Sequence, residues 1–325
     1  MSELLQLEIP ELPRPQRLDT ILAELCPQFS RSRLQLWIKQ GKVTLNGAPS
    51  RAKEKVYGSE KIEILAEEIV VEDGCEPEDI PIDIIYEDED LIVINKPAGL
   101  VVHPGAGNRW GTLQNALLFY NADLQAVPRA GIVHRLDKDT SGLMVVAKNL
   151  MAHKSLVEQL QERSVYRRYD AVVLGNVISG ATVDLPIGRH KTDRLRMAVN
   201  EDDGRDSITH YRVREKFRIH THIRCQLESG RTHQIRVHMS HIGYPLVGDQ
   251  LYGDRVRLPK GASAEVVETL RGFKRQALCA STLGLVHPGS GEDMQWSIDL
   301  PEDMLQLLSM LRDDHEENLS YEQPK

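Results

Sequence analysis

The sequence predicts an α+β protein: a mixed, mainly antiparallel β-sheet with flanking helices, preceded by a smaller module of two helices and short strands. Three observations point there. Runs of β-branched residues come in groups, with a few helical stretches between them and no regular strand-helix alternation. A basic segment near the N-terminus is set off from the rest by an acidic one. The 325 residues also exceed the usual length of one domain.

Taken in order, residues 17–25 place Leu18, Ile21, Leu22 and Leu25 at helical spacing, and Pro27 is expected to stop that helix. Ser30 is placed to cap a second helix, RSRLQLWIKQ, with Leu34, Trp37 and Ile38 on its apolar side. Gly41 ends it, and KVTLNG reads as a short strand closed by an Asn46-Gly47 turn. From residue 81 strands dominate. IDIIYEDEDLIVINKP reads as two strands around an acidic turn, and GLMVVAK, YDAVVLG, HYRVREKF and HIRCQLES as further strands. NLMAHKSLVEQLQER, with Asn149 as cap, is an amphipathic helix, and more helices are expected at 264–271 and 302–312. HQIRVHM has strand period, which would put Gln234, Arg236 and His238 on one face and His233, Ile235 and Val237 on the other. The organisation expected is an N-terminal extension over 1–13, a small domain over 14–75 with an acidic connector at 62–80, a large domain over 81–312, and an acidic tail over 313–325.

Composition narrows the classes of function. With 41% hydrophobic and 27% charged residues the chain has the make-up of a globular protein, and no apolar run approaches the length of a membrane span. The N-terminus, MSELLQLEIPELP, has no signal-peptide pattern, so a cytoplasmic location is expected. Cys26, Cys75, Cys225 and Cys279 are scattered without a C-x-x-C pair, and the histidines lack a ligand pattern, so no metal and no cofactor is expected. The net charge of −8 argues against a nucleic-acid partner only if it is spread evenly. It is not: residues 14–61 hold 10 basic and 4 acidic side chains, residues 62–90 hold 13 acidic and none basic, and residues 91–301 hold 28 basic and 21 acidic. Both segments expected to fold are therefore positive, and RNA stays open as a partner.

No phosphate-binding glycine loop, nucleophile elbow or H-E-x-x-H motif is present. Two polar clusters stand out instead. GIVHRLDKDTSGLMVVAK sets His134, Arg135, Asp137, Lys138, Asp139, Thr140 and Ser141 between two apolar runs, which fits either a turn bonding its own backbone or a functional loop. In the second, LESGRTHQIRVHMSHIGYPLVGDQLYG, a partly buried Arg236 needs an anionic partner, and Asp137 is a chemically sensible one. An arginine beside a carboxylate favours its ionised form, ready to act as nucleophile or electrostatic stabiliser.

The paired helices, the Ser-Arg-Ser-Arg helix start and the Gly-x-Val-x-Leu-Asn-Gly stretch resemble the S4 RNA-binding module. HRLDKDTSG, RRYDAVVLG and GRTHQIRVHM, in that order behind such a module, resemble the RluA-type pseudouridine synthases over nearly the whole chain. The closeness of PAGLVVHPGAGN and GRTHQIRVHMSHIGYPLVGD further suggests members acting on large-subunit ribosomal RNA, in the loop of helix 69. The resemblance implies Asp137 as the catalytic aspartate, Tyr169 as the tyrosine lying against the target base, and Arg236 as the basic residue paired with the aspartate. It further implies Ile235 as an apolar pocket residue, His134 as its neighbour at the pocket, and Arg135 as the side chain that fills the gap left by the extruded uridine. Arg17, Arg31, Arg33 and Lys39 become candidates for one phosphate-facing surface, and GRHKTDRLRMAV for a basic loop near the RNA. Another ribosomal or transfer RNA site, and a non-catalytic role in ribosome assembly, are the competing readings. A monomer is expected.

Overall fold

The computed structural model describes the chain except for residues 1, 27, 28, 30, 68–74, 106, 194, 254 and 322–325, together with the side chains of residues 2, 3, 31–33, 67 and 319–321. It divides into two compact units, Met1–Gly74 and Cys75–Lys325.

In the first unit, β1 (Ser2–Glu8), β2 (Gln16–Arg17), α1 (Leu18–Leu25), α2 (Arg31–Lys39), β3 (Val43–Leu45), β4 (Ala48–Pro49), β5 (Lys55–Val56) and β6 (Lys61–Glu67) follow in turn. The two expected helices are present; Pro27 and the Ser30 cap lie outside the described residues. The Asn46-Gly47 turn joins β3 to β4 with both residues at positive φ, 51° and 77°, the geometry a two-residue hairpin requires. Residues 1–13 are not an extension: β1 pairs along its whole length with β6, in a sheet ordered β1-β6-β3-β4. Residues 62–67 of the expected connector are that same β6, whose alternate residues Ile62, Ile64 and Ala66 are buried against Leu18, Leu22, Leu34 and Trp37. The exposed Glu63 on its other face, followed by further acids in the sequence, had disguised a half-buried strand as linker.

The second unit is built on a nine-stranded sheet. Its elements are β7 (Ile84–Glu87), β8 (Leu91–Lys96), α3 (Leu113–Tyr120), β9 (Ser141–Ala147), α4 (Leu150–Gln161), β10 (Tyr166–Leu174), β11 (Ala181–Asp184), β12 (Ile187–Arg189), β13 (Met197–Val199), β14 (Ile208–Lys216), β15 (His220–Leu227), α5 (Gln234–His241), α6 (Ala264–Gly272), β16 (Leu278–Val286), β17 (Asp293–Ser297) and α7 (Glu302–Tyr321). The order is β11-β14-β15-β10-β16-β9-β8-β7, with β17 also on β16. Every pairing is antiparallel except β16 with β9. That parallel junction is close: a Cβ on Gly142, whose φ is 118°, would stand 2.3 Å from the Ala280 carbonyl oxygen, so the T-S-G glycine is required by the sheet itself.

Residues of β10 alternate between two cores. Tyr169, Ala171 and Val173 face a cluster with Leu113 and Leu117 of α3 and Ile235 and Met239 of α5. Val172 faces α6 and α7 on the other side. The helix expected at 302–312 runs on to Tyr321, because Asp314 is buried and accepts from Arg218 Nη1 at 2.9 Å; the supposed acidic tail begins as packed helix.

HQIRVHM is a helix, not a strand. Ile235, Met239 and Ile242 at i, i+4 and i+7 pack into the main core, while Gln234 Nε2 and His238 Nδ1, also four apart, both reach Thr209 Oγ1, at 3.1 and 2.9 Å. Arg236, placed with them by the strand reading, points away from that face. The segment has no exposed stripe to betray its period, since 234–239 are all buried.

Three titratable groups among the described residues bear strongly on the response to acid. Burial lowers His220 to about 4, and burial with the charge of Arg167 lowers His134 to about 3. At Asp170 burial opposes ionisation, but hydrogen bonds from His222 and Ser281 and the charge of Arg224 outweigh it and bring the carboxyl to about 2. The histidines, with folded pKa values below the unfolded one, cost stability as pH falls from about 6.5 toward those values. The aspartate contributes on the order of 2 kcal/mol above pH ~4, lost as pH falls toward 2. Urea unfolding should therefore show stability declining as pH falls below ~6.5 and steeply below pH ~4; a flat profile from pH ~7 down to pH ~4 would contradict these protonation states.

Candidate active site

The HRLDKDTSG segment forms the loop entering β9. It is preceded by a left-handed run at Arg129, Ala130 and Gly131, where a Cβ on Gly131 would stand 1.9 Å from the Ala147 carbonyl oxygen. The loop is then held from three sides. Thr140 N–H closes a turn on the Asp137 carbonyl at 3.1 Å, and Gln276 Nε2 donates to Thr140 Oγ1 at 3.0 Å. Arg275 Nη1 donates to the Asp139 carbonyl at 3.3 Å. Lys96, at the end of β8 and fully buried, donates to the carbonyls of Pro97, Leu100 and Lys138 at 2.8, 2.9 and 3.0 Å. Burial, reinforced by Arg275 and opposed by Asp139 and Asp137, lowers the Lys96 ammonium to about 8.

The loop and α5 meet at one ion-pair system. Arg236 Nη1 donates to Asp137 Oδ2 at 3.0 Å, while its Nε and Nη2 grip Asp249 Oδ2 and Oδ1 at 2.7 and 2.8 Å. Asp249 is fully buried and also accepts from the N–H groups of Leu251 and Tyr252. Burial opposes both charges, but mutual pairing wins: the guanidinium is raised and the Asp249 carboxyl lowered. Asp137, whose side chain is 16% exposed, opens onto a cleft of about 460 Å³ lined by Val102, His103, Arg135, Lys138, His233 and Gln276 among others. A carboxylate held by an arginine on one oxygen, at a polar cleft, can attack or deprotonate a bound sugar.

Arg135, Asp137 and Arg236 thus line one cleft. Tyr169 and Ile235 lie in the core together with Leu136, the loop residue between Arg135 and Asp137. Burial raises the Tyr169 phenol, with the charge of Asp137 adding and that of Arg167 opposing. His134, Tyr169 and Ile235 are not among the residues that line the cleft; His134 Nε2 accepts from Val145 N–H at 3.0 Å, which commits that ring to β9. In the first unit Arg17 is paired with Asp19 at 2.9 Å through both Nε and Nη2, and Lys39 is exposed at the end of α2. The side chains of Arg31 and Arg33 lie outside the described residues.

Sequence reasoning missed Asp249, although it stands in the quoted LVGDQLYG stretch and a buried arginine with three donor edges had room for a second carboxylate. It also missed the device beneath Tyr169. Across β10 and β16, Arg168 faces Thr282 but Tyr169 faces Ala280, so Ser281 is the extra residue of a bulge. Ser281 Oγ donates to Asp170 Oδ2 at 2.6 Å and so fixes the bulge next to the tyrosine. Among the described residues, no three His, Cys, Asp or Glu side chains gather as a metal site, and no helix is long and apolar enough to cross a membrane.

Residues 90–241 match the family model for RNA pseudouridylate synthase, and residues 16–62 match that for the S4 domain. The chain is 56% identical over 315 residues to a protein of Xanthomonas campestris pv. campestris named ribosomal large subunit pseudouridine synthase D, spanning 96% of this chain and 94% of that one. This chain belongs to the RNA pseudouridylate synthase family. It is an isomerase with an N-terminal S4 domain. A relative of the same name from Pseudomonas aeruginosa is 56% identical over 97% of this chain and 99% of its own. Among solved structures, human RNA pseudouridylate synthase domain containing 4 superposes with a TM-score of 0.55 at 26% identity, over 71% of this chain and 93% of that one.

The loop geometry makes Lys96 testable. Lys96→Met removes the ammonium donor from three carbonyls, of which Lys138 keeps the Gly99 N–H, and should cost about 1–3 kcal/mol of stability. Hydrogen exchange at Thr140 N–H should speed up with it; unchanged protection there would mean Lys96 does not hold the loop.

Proposed function

We propose that this synthase isomerises uridines of large-subunit ribosomal RNA to pseudouridine, in the loop of helix 69 and in the cytoplasm, with Asp137 as the essential carboxylate. The observation that carries the reading is the Arg236–Asp137 pair at the mouth of the cleft, with Oδ1 left open. The names of the relatives support the ribosomal target.

The reaction breaks the bond from ribose C1′ to N1, turns the uracil, joins C1′ to C5, and releases the C5 proton to solvent while N1 takes one up. The atoms of the product are those of the substrate, so no oxidant or energy source enters. The target carbon is hidden in stacked RNA, and extruding the nucleotide costs a few kcal/mol. Arg135, exposed on the cleft rim, is placed to fill the vacancy and offset part of that cost. Addition of the carboxylate to C1′, or removal of a ribose proton by it, both need Asp137 held in place, and Arg236 Nη1 holds its Oδ2 at 3.0 Å. Tyr169, kept a neutral phenol, offers a face against which the freed uracil can turn, and Ile235 closes the apolar side beneath it. The S4 domain, through Arg17, Arg31, Arg33 and Lys39, contributes phosphate contacts that set position without reading bases.

With RNA tritiated at uridine C5, the protein should release label to water, and Asp137→Asn should lower the rate on the order of 1,000-fold or more. Release undiminished in that variant would sink the assignment of Asp137. Free uracil among the products would instead mark base removal. Pseudouridine mapping of ribosomal RNA from cells with and without the protein checks the target, and an unchanged helix 69 would refute that site.

A further inference from the structure

His233 lines the cleft, and its Nε2 stands 3.9 Å from Asp137 Oδ1, the oxygen that Arg236 does not hold. What that nitrogen presents, a hydrogen or a lone pair, is decided on the far side of the ring. There His233 Nδ1 lies 2.8 Å from the Tyr252 hydroxyl, and that hydroxyl accepts from Met197 N–H at 2.7 Å. A tyrosine hydroxyl has one hydrogen to give. Given to Nδ1, it completes every bond in the chain and leaves the imidazole hydrogen on Nε2. Reversed, Nδ1–H would donate to a hydroxyl whose own hydrogen has no acceptor among the described residues. The Nε2 lone pair would then face a carboxylate.

We propose that Tyr252 is a positioning residue that locks His233 as the Nε2–H tautomer, so that an N–H dipole faces the open oxygen of Asp137. The inference rests on the proposed reaction, and it adds two residues to it.

The surroundings hold this arrangement firmly. Tyr252 is buried, its ring lies edge-on to His233, and the guanidinium carbons of Arg236 and Arg196 stand 5.0 and 5.3 Å from its centroid. Its own N–H is bound by Asp249, the carboxylate that grips Arg236. His233 takes a left-handed φ of 58°, which side chains adopt where their surroundings dictate it. Burial, with the charges of Arg236 and Arg135, lowers the imidazole, while Asp137 and Asp249 oppose; the ring is neutral at pH 7 and owes its donor to the tautomer. Two consequences follow. His233 cannot serve as a base in the cleft, because its lone pair is taken. The Met197 bond also ties the base of the β12–β13 hairpin, which carries the basic segment 189–196, to the same hydroxyl.

Tyr252→Phe removes the hydroxyl and keeps the ring. Nitrogen-15 spectra of histidine-labelled protein should show His233 as Nε2–H in the wild type and as a mixture of tautomers in the variant. On RNA, kcat should fall about tenfold with KM within about twofold. His233→Gln carries an amide donor and has no tautomer to lock, so adding Tyr252→Phe to it should cost less than about twofold. A wild-type His233 protonated on Nδ1 would overturn the proposal. So would an unchanged kcat in Tyr252→Phe, or an equal tenfold loss in the His233→Gln background. If the wild type itself releases no tritium from RNA, the proposed reaction fails, while the spectra still decide the tautomer.

Discussion

A buried guanidinium shared between two carboxylates organises the large unit of this protein. Arg236 is nearly sealed from water, and an unpaired charge there would cost several kcal/mol. Asp249 meets that cost with two bonds and is itself satisfied by backbone N–H groups, leaving one edge of the fork for Asp137. The division is unequal by design of the geometry. One carboxylate is structural and sealed, and the other is held on a single oxygen and open to the cleft. Helix α5 has to be a helix for this to work, since only that period sends Gln234 and His238 to Thr209 while Arg236 goes the other way.

The rest of the unit brings other groups to that pair. Lys96 fastens the Asp137 loop to β8, and Gln276 and Arg275 fasten it to the approach of β16. A bulge at Ser281, pinned by Asp170 on the far face of β10, sits beside Tyr169 where the strand must present it to the core under the cleft.

Much of this was legible in the sequence, and what was not has physical causes. The strand runs of β8, β9, β10, β14 and β15 announced themselves through β-branched residues, and the need of Arg236 for an anion pointed to Asp137. The period of α5 was illegible because a helix buried all round shows no polar stripe, and Ile-x-Val fits a strand equally well. Asp249 lies only 13 positions beyond Arg236, yet spacing alone could not say that the turn between them folds back. His134 shares the loop with Asp137, but a β9 backbone N–H claims its ring, which no local pattern signals. The acidic stretch that made the net charge misleading begins as the strand β6, so Glu63 belongs to a sheet rather than to a linker.

Asp249, which is not among the residues lining the cleft, is placed to set the chemistry by fixing Arg236 against Asp137. This role is tested most directly by the single-turnover rate of Asp249→Asn on a large-subunit ribosomal RNA fragment, measured beside its RNA affinity. The rate should fall on the order of 100-fold with affinity held within about twofold, as expected when a reacting group is misplaced from outside the site. A rate equal to that of the wild type would contradict it.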